Sequence, residues 1–222
     1  MLFRSSSPVL RSLSVTHCRT SFPGYATSHL DALWQQNAGQ PLQALDIGCG
    51  AISRLRWGAL NAFLTVTGVD PLLDMYAIVR ERHGYATLPA IRCAHEIIGG
   101  AEQLTTKVAP GSFDLAFCSN ALDHTEDPVA VVDAIARAVR PGGFVAIDVY
   151  TREGSRENWW QLHQFDMYID DREQFVCETR DGVVRPLVSP TCGLIVREIA
   201  ARDQTTAVIL ERVSDEQMRM AG

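Results

Sequence analysis

Lysine is almost absent from this 222-residue chain: Lys107 is the only one, and arginine supplies the rest of the positive charge. The formal net charge is −6, which argues against the broad basic face that nucleic-acid binding requires. No C-x-x-C pair occurs. Cys18, Cys49, Cys93, Cys118, Cys177 and Cys192 lie far apart, and no histidine stands at metal-ligand spacing to them. Structural zinc and a disulfide framework are therefore not expected, and the cysteines read as reduced, mostly buried apolar residues. No apolar run approaches the roughly 18 residues that span a membrane. Acidic residues are missing before Asp31, and the Arg, Ser and Thr of residues 1–30 give a composition like that of an organellar transit peptide. The reading preferred here is an arm or lid over residues 1–40, with the aromatics of FPGY ahead of a short helix carrying Leu30, Leu33 and Trp34 on one side. Residues 41–222 then form one domain, and the location expected is cytoplasmic.

What the chain does contain is ordinary for a globular protein: 46% hydrophobic and 21% charged residues. A chain this long buries about 70–75% of its unfolded surface. From residue 43 onward short apolar runs alternate with helical stretches. QALDI, TVTGVD, AHEII, FDLAFCS and FVAIDVY read as strands. PLLDMYAIVRERHG reads as a helix opened by Pro71 and closed by Gly84. Asp127 and Pro128 give a second helix its cap and first turn, and Val129, Val132, Ile135 and Val139 fall at helical spacing. SRLRWGALNAFL also has helical character. This alternation predicts a parallel sheet with helices on both faces. The last third differs. QFVCET and VVRPL flank an Asp181-Gly182 turn as a hairpin, and GLIVREI with TTAVILERV predicts a close antiparallel pair at the sheet's end.

The stretch ALDIGCGAIS ends the first strand on Gly48-x-Gly50-x-x-Ser53, and Asp70 follows 20 residues after Gly50 at the end of the next strand. Glycines there allow a tight turn and close approach of the backbone to a ligand. A carboxylate at Asp70 can accept hydrogen bonds from a ribose diol. The pattern points to a nucleoside cofactor without saying which.

Five segments in order resemble the class I S-adenosylmethionine-dependent methyltransferases, in particular their small-molecule group. LDIGCG is similar to the first motif of that family. GVDPLLDMY is similar to its second strand, GGAEQL to its adenine segment, GSFDLAFCSNALDHTEDP to its fourth strand and loop, and RPGGFVAIDVY to the turn into its fifth strand. The resemblance covers roughly residues 43–150. It implies a Rossmann-like seven-stranded, mostly parallel sheet whose final strand, around residues 206–213, runs antiparallel between its neighbours. It also implies S-adenosyl-L-methionine as cofactor, held by Asp46, Gly48, Cys49, Gly50, Asp70, Pro71, Ala101, Glu102 and Asn120. Asp46 would serve the cofactor's amino end and Asp70 its ribose. The chain departs from the family at Ile52, where a third glycine is frequent, and at Gly100, where an acid is.

Methyl transfer from a sulfonium needs alignment, dryness and, for a hydroxyl acceptor, a base. His124, after the fourth strand, and His163, in NWWQLHQF, are the candidate bases, since imidazole titrates near neutrality. Trp159, Trp160, Phe165 and Tyr168 are expected to build an apolar wall. SNAL replaces the Asn-Pro-Pro-aromatic pattern of enzymes that methylate amino groups of nucleic acids and proteins, and no Pro-Cys nucleophile or acidic metal cluster is legible. The expectation is a metal-independent enzyme acting on oxygen, nitrogen or carbon of a small molecule, as a monomer or homodimer, without membrane or nucleic-acid partners. Two alternatives stay open: a cofactor-binding protein without transfer activity, and a nicotinamide-dependent oxidoreductase, although no Tyr-x-x-x-Lys pair is present.

Overall fold

The computed structural model describes residues 27–56, 63–84, 93–202, 204–214 and 216–217. Residues 1–26 of the lid expected over 1–40, and residues 57–62 of the helix expected at 53–64, lie outside these residues. Of the rest of that helix, Arg54–Arg56 is a single 3-10 turn and Leu64 already belongs to the second strand. Seven strands form the main sheet: β1 (Leu42–Ile47), β2 (Leu64–Asp70), β3 (His95–Ile98), β4 (Phe113–Ser119), β5 (Val139–Tyr150), β9 (Leu194–Arg202) and β10 (Thr205–Arg212). Their order is β3-β2-β1-β4-β5-β10-β9. The first five are parallel, while β10 lies between β5 and β9 and runs antiparallel to both. This is the arrangement expected from the sequence.

Strand residues alternate between two cores, as the two-residue period of a sheet requires. Leu45, Ile47, Ala116, Cys118, Val145, Ile147, Val208 and Leu210 face one, with helix α4 (Pro128–Ala138) packed into it. Ala44, Val66, Leu115, Phe117, Phe144, Ala146 and Ile209 face the other, covered by α1 (Thr27–Gln36) through Leu30 and Leu33. Trp34 meets Phe63 edge to face at 4.7 Å. The helical half of the expected arm is thus a cover for the sheet.

Helix α2 (Leu73–Arg82) starts two residues after Pro71 and is tied to β3 by buried Arg80, which donates to Glu96 at 2.8 and 3.2 Å. Helix α4 begins where expected, with Asp127 accepting from the N–H groups of Val129 and Ala130. Its buried residues are Val131, Val132, Ala134, Ile135, Ala136 and Ala138, a broader face than the valine spacing alone suggested. The Arg-Pro-Gly-Gly turn is absorbed into β5 and fixed by Asp114, which accepts from Arg140 Nε at 2.7 Å and from the Gln43 N–H at 2.7 Å.

Between β5 and β9 the chain forms a separate antiparallel sheet, β6-β7-β8 (Phe165–Ile169, Phe175–Thr179, Val184–Pro186). The hairpin expected around Asp181-Gly182 is there as β7-β8, but it pairs with β6 and not with the main sheet. Short helices, α3 (Leu104–Lys107) and α5 (Glu153–Arg156), follow β3 and β5. Among the described residues, no helix is long and apolar enough to cross a membrane.

Ile135 is fully buried in the α4 core, whereas Arg137 on the same helix is exposed. Ile135→Ala should cost about 2–5 kcal/mol in urea unfolding. Arg137→Ala should stay within about 0.5 kcal/mol.

Candidate functional site

The strand order reverses between β1 and β4, and the carboxyl ends of strands at such a switch point form a crevice. The loops that line it are the glycine turn after β1 and residues 120–124 after β4. Gly48 and Gly50 both have φ of +64°, a region L side chains avoid. A Cβ at Gly48 would collide with Ala121, so the missing side chain lets the two loops touch. A Cβ at Gly50 would meet nothing within 4 Å; that glycine faces open space.

Asp46, at the end of β1, is 3% exposed and accepts a short hydrogen bond from the Ser53 hydroxyl. Burial raises its pKa to about 7, against the lowering effects of Ser53 and Arg54; the charges of Asp148 and Asp70 add to the rise. Asp70 closes β2 and organises the turn. Its Oδ2 accepts the Gly50 N–H at 3.0 Å and its Oδ1 the Leu72 N–H at 2.9 Å. Each oxygen keeps a second lone pair for a ligand hydroxyl. Cys49 is buried with its sulfur over Gly68, and Pro71 is exposed.

Asn120 sits at φ +47° directly after β4, a conformation asparagine tolerates better than most residues. Its N–H donates to the Asp148 carbonyl at 2.8 Å, while its buried Oδ1 has no partner. Arg54 donates to Ser119 Oγ and lies 3.7 Å from Asp148 Oδ2. Ala101 is buried in the core, and Glu102 accepts the Glu126 N–H at 2.9 Å, fixing the loop that leads to α4.

His124 and His163, 39 residues apart, come together: His124 Nε2 is 3.3 Å from His163 Nδ1. Asp123 lies between them, 3% exposed at its side chain, with Oδ2 at 2.8 Å from His163 Nδ1 and 3.3 Å from His124 Nε2. Glu153 Oε1 is 3.9 Å from His163 Nδ1. Burial raises the pKa of Glu153, the adjacent Asp123 adds to this, and His163 opposes it. Sequence reasoning missed Asp123, Glu153 and the Ser53–Asp46 bond. The one signal available was the Asp-His dipeptide itself.

The aromatics expected to build one apolar wall do not share a single face. Phe165 is buried and Trp160 is exposed. Tyr168 donates to Glu178 at 2.8 Å beneath the Arg152 guanidinium. Phe165 and Tyr168 are an odd number of residues apart on β6, so they point to opposite faces.

Residues 45–147 match the family model described as a methyltransferase domain. A ubiquinone biosynthesis O-methyltransferase from Paracidovorax citrulli is 34% identical over 119 residues, covering 50% of this chain and 46% of that protein. The chain spans about half the length of the curated relatives it matches. A solved S-adenosylmethionine-dependent methyltransferase from Mesorhizobium loti superposes with a TM-score of 0.50 at 16% identity, covering 92% of this chain and 96% of that one. A second, from Methanosarcina mazei, gives 0.50 at 15% identity over 79% and 94%. These likenesses show the fold. Residues 45–147 thus resemble a methyltransferase domain.

The native pKa of Asp46 lies above its unfolded value of 3.8, so its contribution to stability is complete below about pH 4 and is lost as pH rises through about 7. Relative to Asp46→Asn, the parent should lose on the order of 4 kcal/mol of unfolding free energy between pH 4 and pH 8. Urea titrations of both proteins across that range check it.

Proposed function

We propose that the chain is a methyltransferase that uses S-adenosyl-L-methionine and acts on a hydroxyl oxygen of a small molecule. One observation carries the reading: the carboxylates of Asp46 and Asp70 and the opened glycine turn stand at the switch point, and across the Gly48–Ala121 contact the next loop presents Asp123, His124 and, from the distant chain, His163.

The residues present suit this cofactor. Buried Asp46 has a raised pKa and an incomplete set of cationic neighbours, which fits an ammonium group. Asp70 keeps lone pairs for a diol, Gly50 leaves room beside it, and the orphaned Asn120 Oδ1 awaits a donor. Pro71, Cys49, Ala101 and Glu102 would shape the rest of the cleft. When bound, the cofactor supplies a methyl group already activated on a positively charged sulfur.

The chain's own work is then to align the acceptor, exclude water and receive the hydroxyl proton. His163 with Asp123 at 2.8 Å is an imidazole held and polarised by a buried carboxylate. His124 adds a second imidazole on the exposed side of the pair. The names of the relatives, as O-methyltransferases, support oxygen as the methylated atom.

Asp70→Ala should weaken S-adenosylmethionine binding at least tenfold in calorimetry, since each charge-assisted hydrogen bond contributes about 1.5–3 kcal/mol. His163→Ala should leave that affinity within about threefold and lower turnover on a hydroxyl acceptor by roughly 10²–10⁴. Mass spectrometry showing no methylated product with any hydroxyl acceptor from a broad panel, despite tight cofactor binding, would turn the reading toward a binding protein.

A further inference from the structure

We propose that Asp123, His124 and His163, with Glu153 beside them, bind one divalent transition-metal cation, of the Zn²⁺ or Mn²⁺ class.

Three donor atoms define the position. Asp123 Oδ2, His124 Nε2 and His163 Nδ1 are separated by 2.8, 3.3 and 3.3 Å. Ligands at about 2.1 Å from a common ion stand about 3.0–3.4 Å apart at angles between octahedral and tetrahedral. The two separations of 3.3 Å fit, and the 2.8 Å pair, at hydrogen-bond distance, opens slightly to admit the ion. The imidazoles meet edge to face, with centroids 4.9 Å apart and planes at 63°, so nitrogen atoms converge and ring faces do not stack.

Hydrogen bonding alone does not satisfy this group. An imidazole nitrogen carries one proton or one lone pair. Around His163 Nδ1 stand Asp123 Oδ2, His124 Nε2 and Glu153 Oε1, and a single proton serves one of them. Two further oxygens, Asp123 Oδ1 and Glu153 Oε2, are buried without a partner. Among the described residues, the ion-pair partners of Asp123 and Glu153 are these imidazoles and no arginine or lysine. Two neighbouring carboxylates withdrawn from water require a proton or a cation between them. A proton shared between Glu153 and Asp123 meets part of this demand; a divalent ion at the three donor atoms would also engage both imidazole nitrogens.

The donors are built into the fold. Asp123 and His124 follow β4, Glu153 lies in α5 after β5, and His163 is anchored by its neighbour Gln164, whose N–H donates to the Asp123 carbonyl at 3.4 Å. Nitrogen with carboxylate oxygen selects zinc or manganese over calcium, which takes oxygen ligands. His124 is exposed, so the ion would keep an open position on the cleft side. The sequence reading expected a metal-independent enzyme; this proposal departs from it, on ligands 39 residues apart that leave no spacing to detect. The site stands on geometry alone. Its role rests on the methyltransferase reading and refines it: with the ion bound, His163 would serve as a ligand in place of proton acceptor, and the cation would lower the pKa of an acceptor hydroxyl, whose proton would leave to water.

The test uses the full chain, stripped with chelator and titrated with ZnCl₂ and with MnCl₂ in a calorimeter. One ion per chain is expected. Pulsed electron paramagnetic resonance of the Mn²⁺ form should show ¹⁴N couplings from imidazole, a readout that needs no variant. His163→Ala should weaken binding at least about 100-fold, beyond the 10–100-fold typical of losing an outer partner, and Glu153→Gln by about tenfold. A parent that takes up no ion, a bound Mn²⁺ without nitrogen coupling, or a folded His163→Ala with unchanged affinity overturns the site. S-adenosylmethionine titrated into the same samples keeps the two readings apart. Metal without cofactor binding counts against the methyltransferase reading alone, and cofactor without metal binding counts against this site alone.

Discussion

A carboxylate buried at the carboxyl end of the central strand is the constraint around which the rest of this domain is arranged. Asp46 is almost inaccessible, and Ser53 is its one hydrogen-bond donor among the described residues. Burial disfavours its charge, and Arg54 offsets that only partly. A buried carboxylate with a raised pKa in a cleft is a candidate ligand site. The nearby features keep space open beside it. Gly50 opens the turn, Asp70 pins the turn to β2 through the Gly50 N–H and fixes its own following loop through the Leu72 N–H, and Arg80 locks the next helix onto β3.

The second half of the site depends on the first through one contact. Gly48 lacks a Cβ, so Ala121 can approach, and Ala121 stands two residues before Asp123. The glycine turn and the histidine cluster are therefore positioned by the same close packing. The small β6-β7-β8 sheet completes the arrangement from the far side. Its first strand begins just after His163, and Ser155 on α5 donates its N–H to buried Asp166 at 2.8 Å, which holds α5 and β6 together.

The parallel core was legible because its signals are local. Buried parallel strands read as apolar runs, Asp127-Pro128 marks a helix start, and the glycine turn with Asp70 encodes its own geometry. The antiparallel close of β9 and β10 was legible for the same reason. The separate β6-β7-β8 sheet was not, because strand periodicity does not say which sheet a strand joins. The histidine cluster was half legible. His124 and His163 were each visible as titratable groups near the site, but their meeting at 3.3 Å around Asp123 is tertiary. Tyr168 was misjudged because its partners, the Arg152 guanidinium and the Glu178 carboxylate, are set by tertiary packing that its sequence neighbours do not reveal.

The central claim is that Asp46 receives the cationic end of S-adenosylmethionine. Near pH 6 most of Asp46 would be protonated, given its pKa of about 7, and a bound ammonium would expel that proton. Calorimetric titration of the cofactor at pH 6, in two buffers of different ionisation enthalpy, counts the protons exchanged. The account predicts release of close to one proton per cofactor bound by the parent chain and none by Asp46→Asn. Tight binding by the parent with no proton release would contradict it.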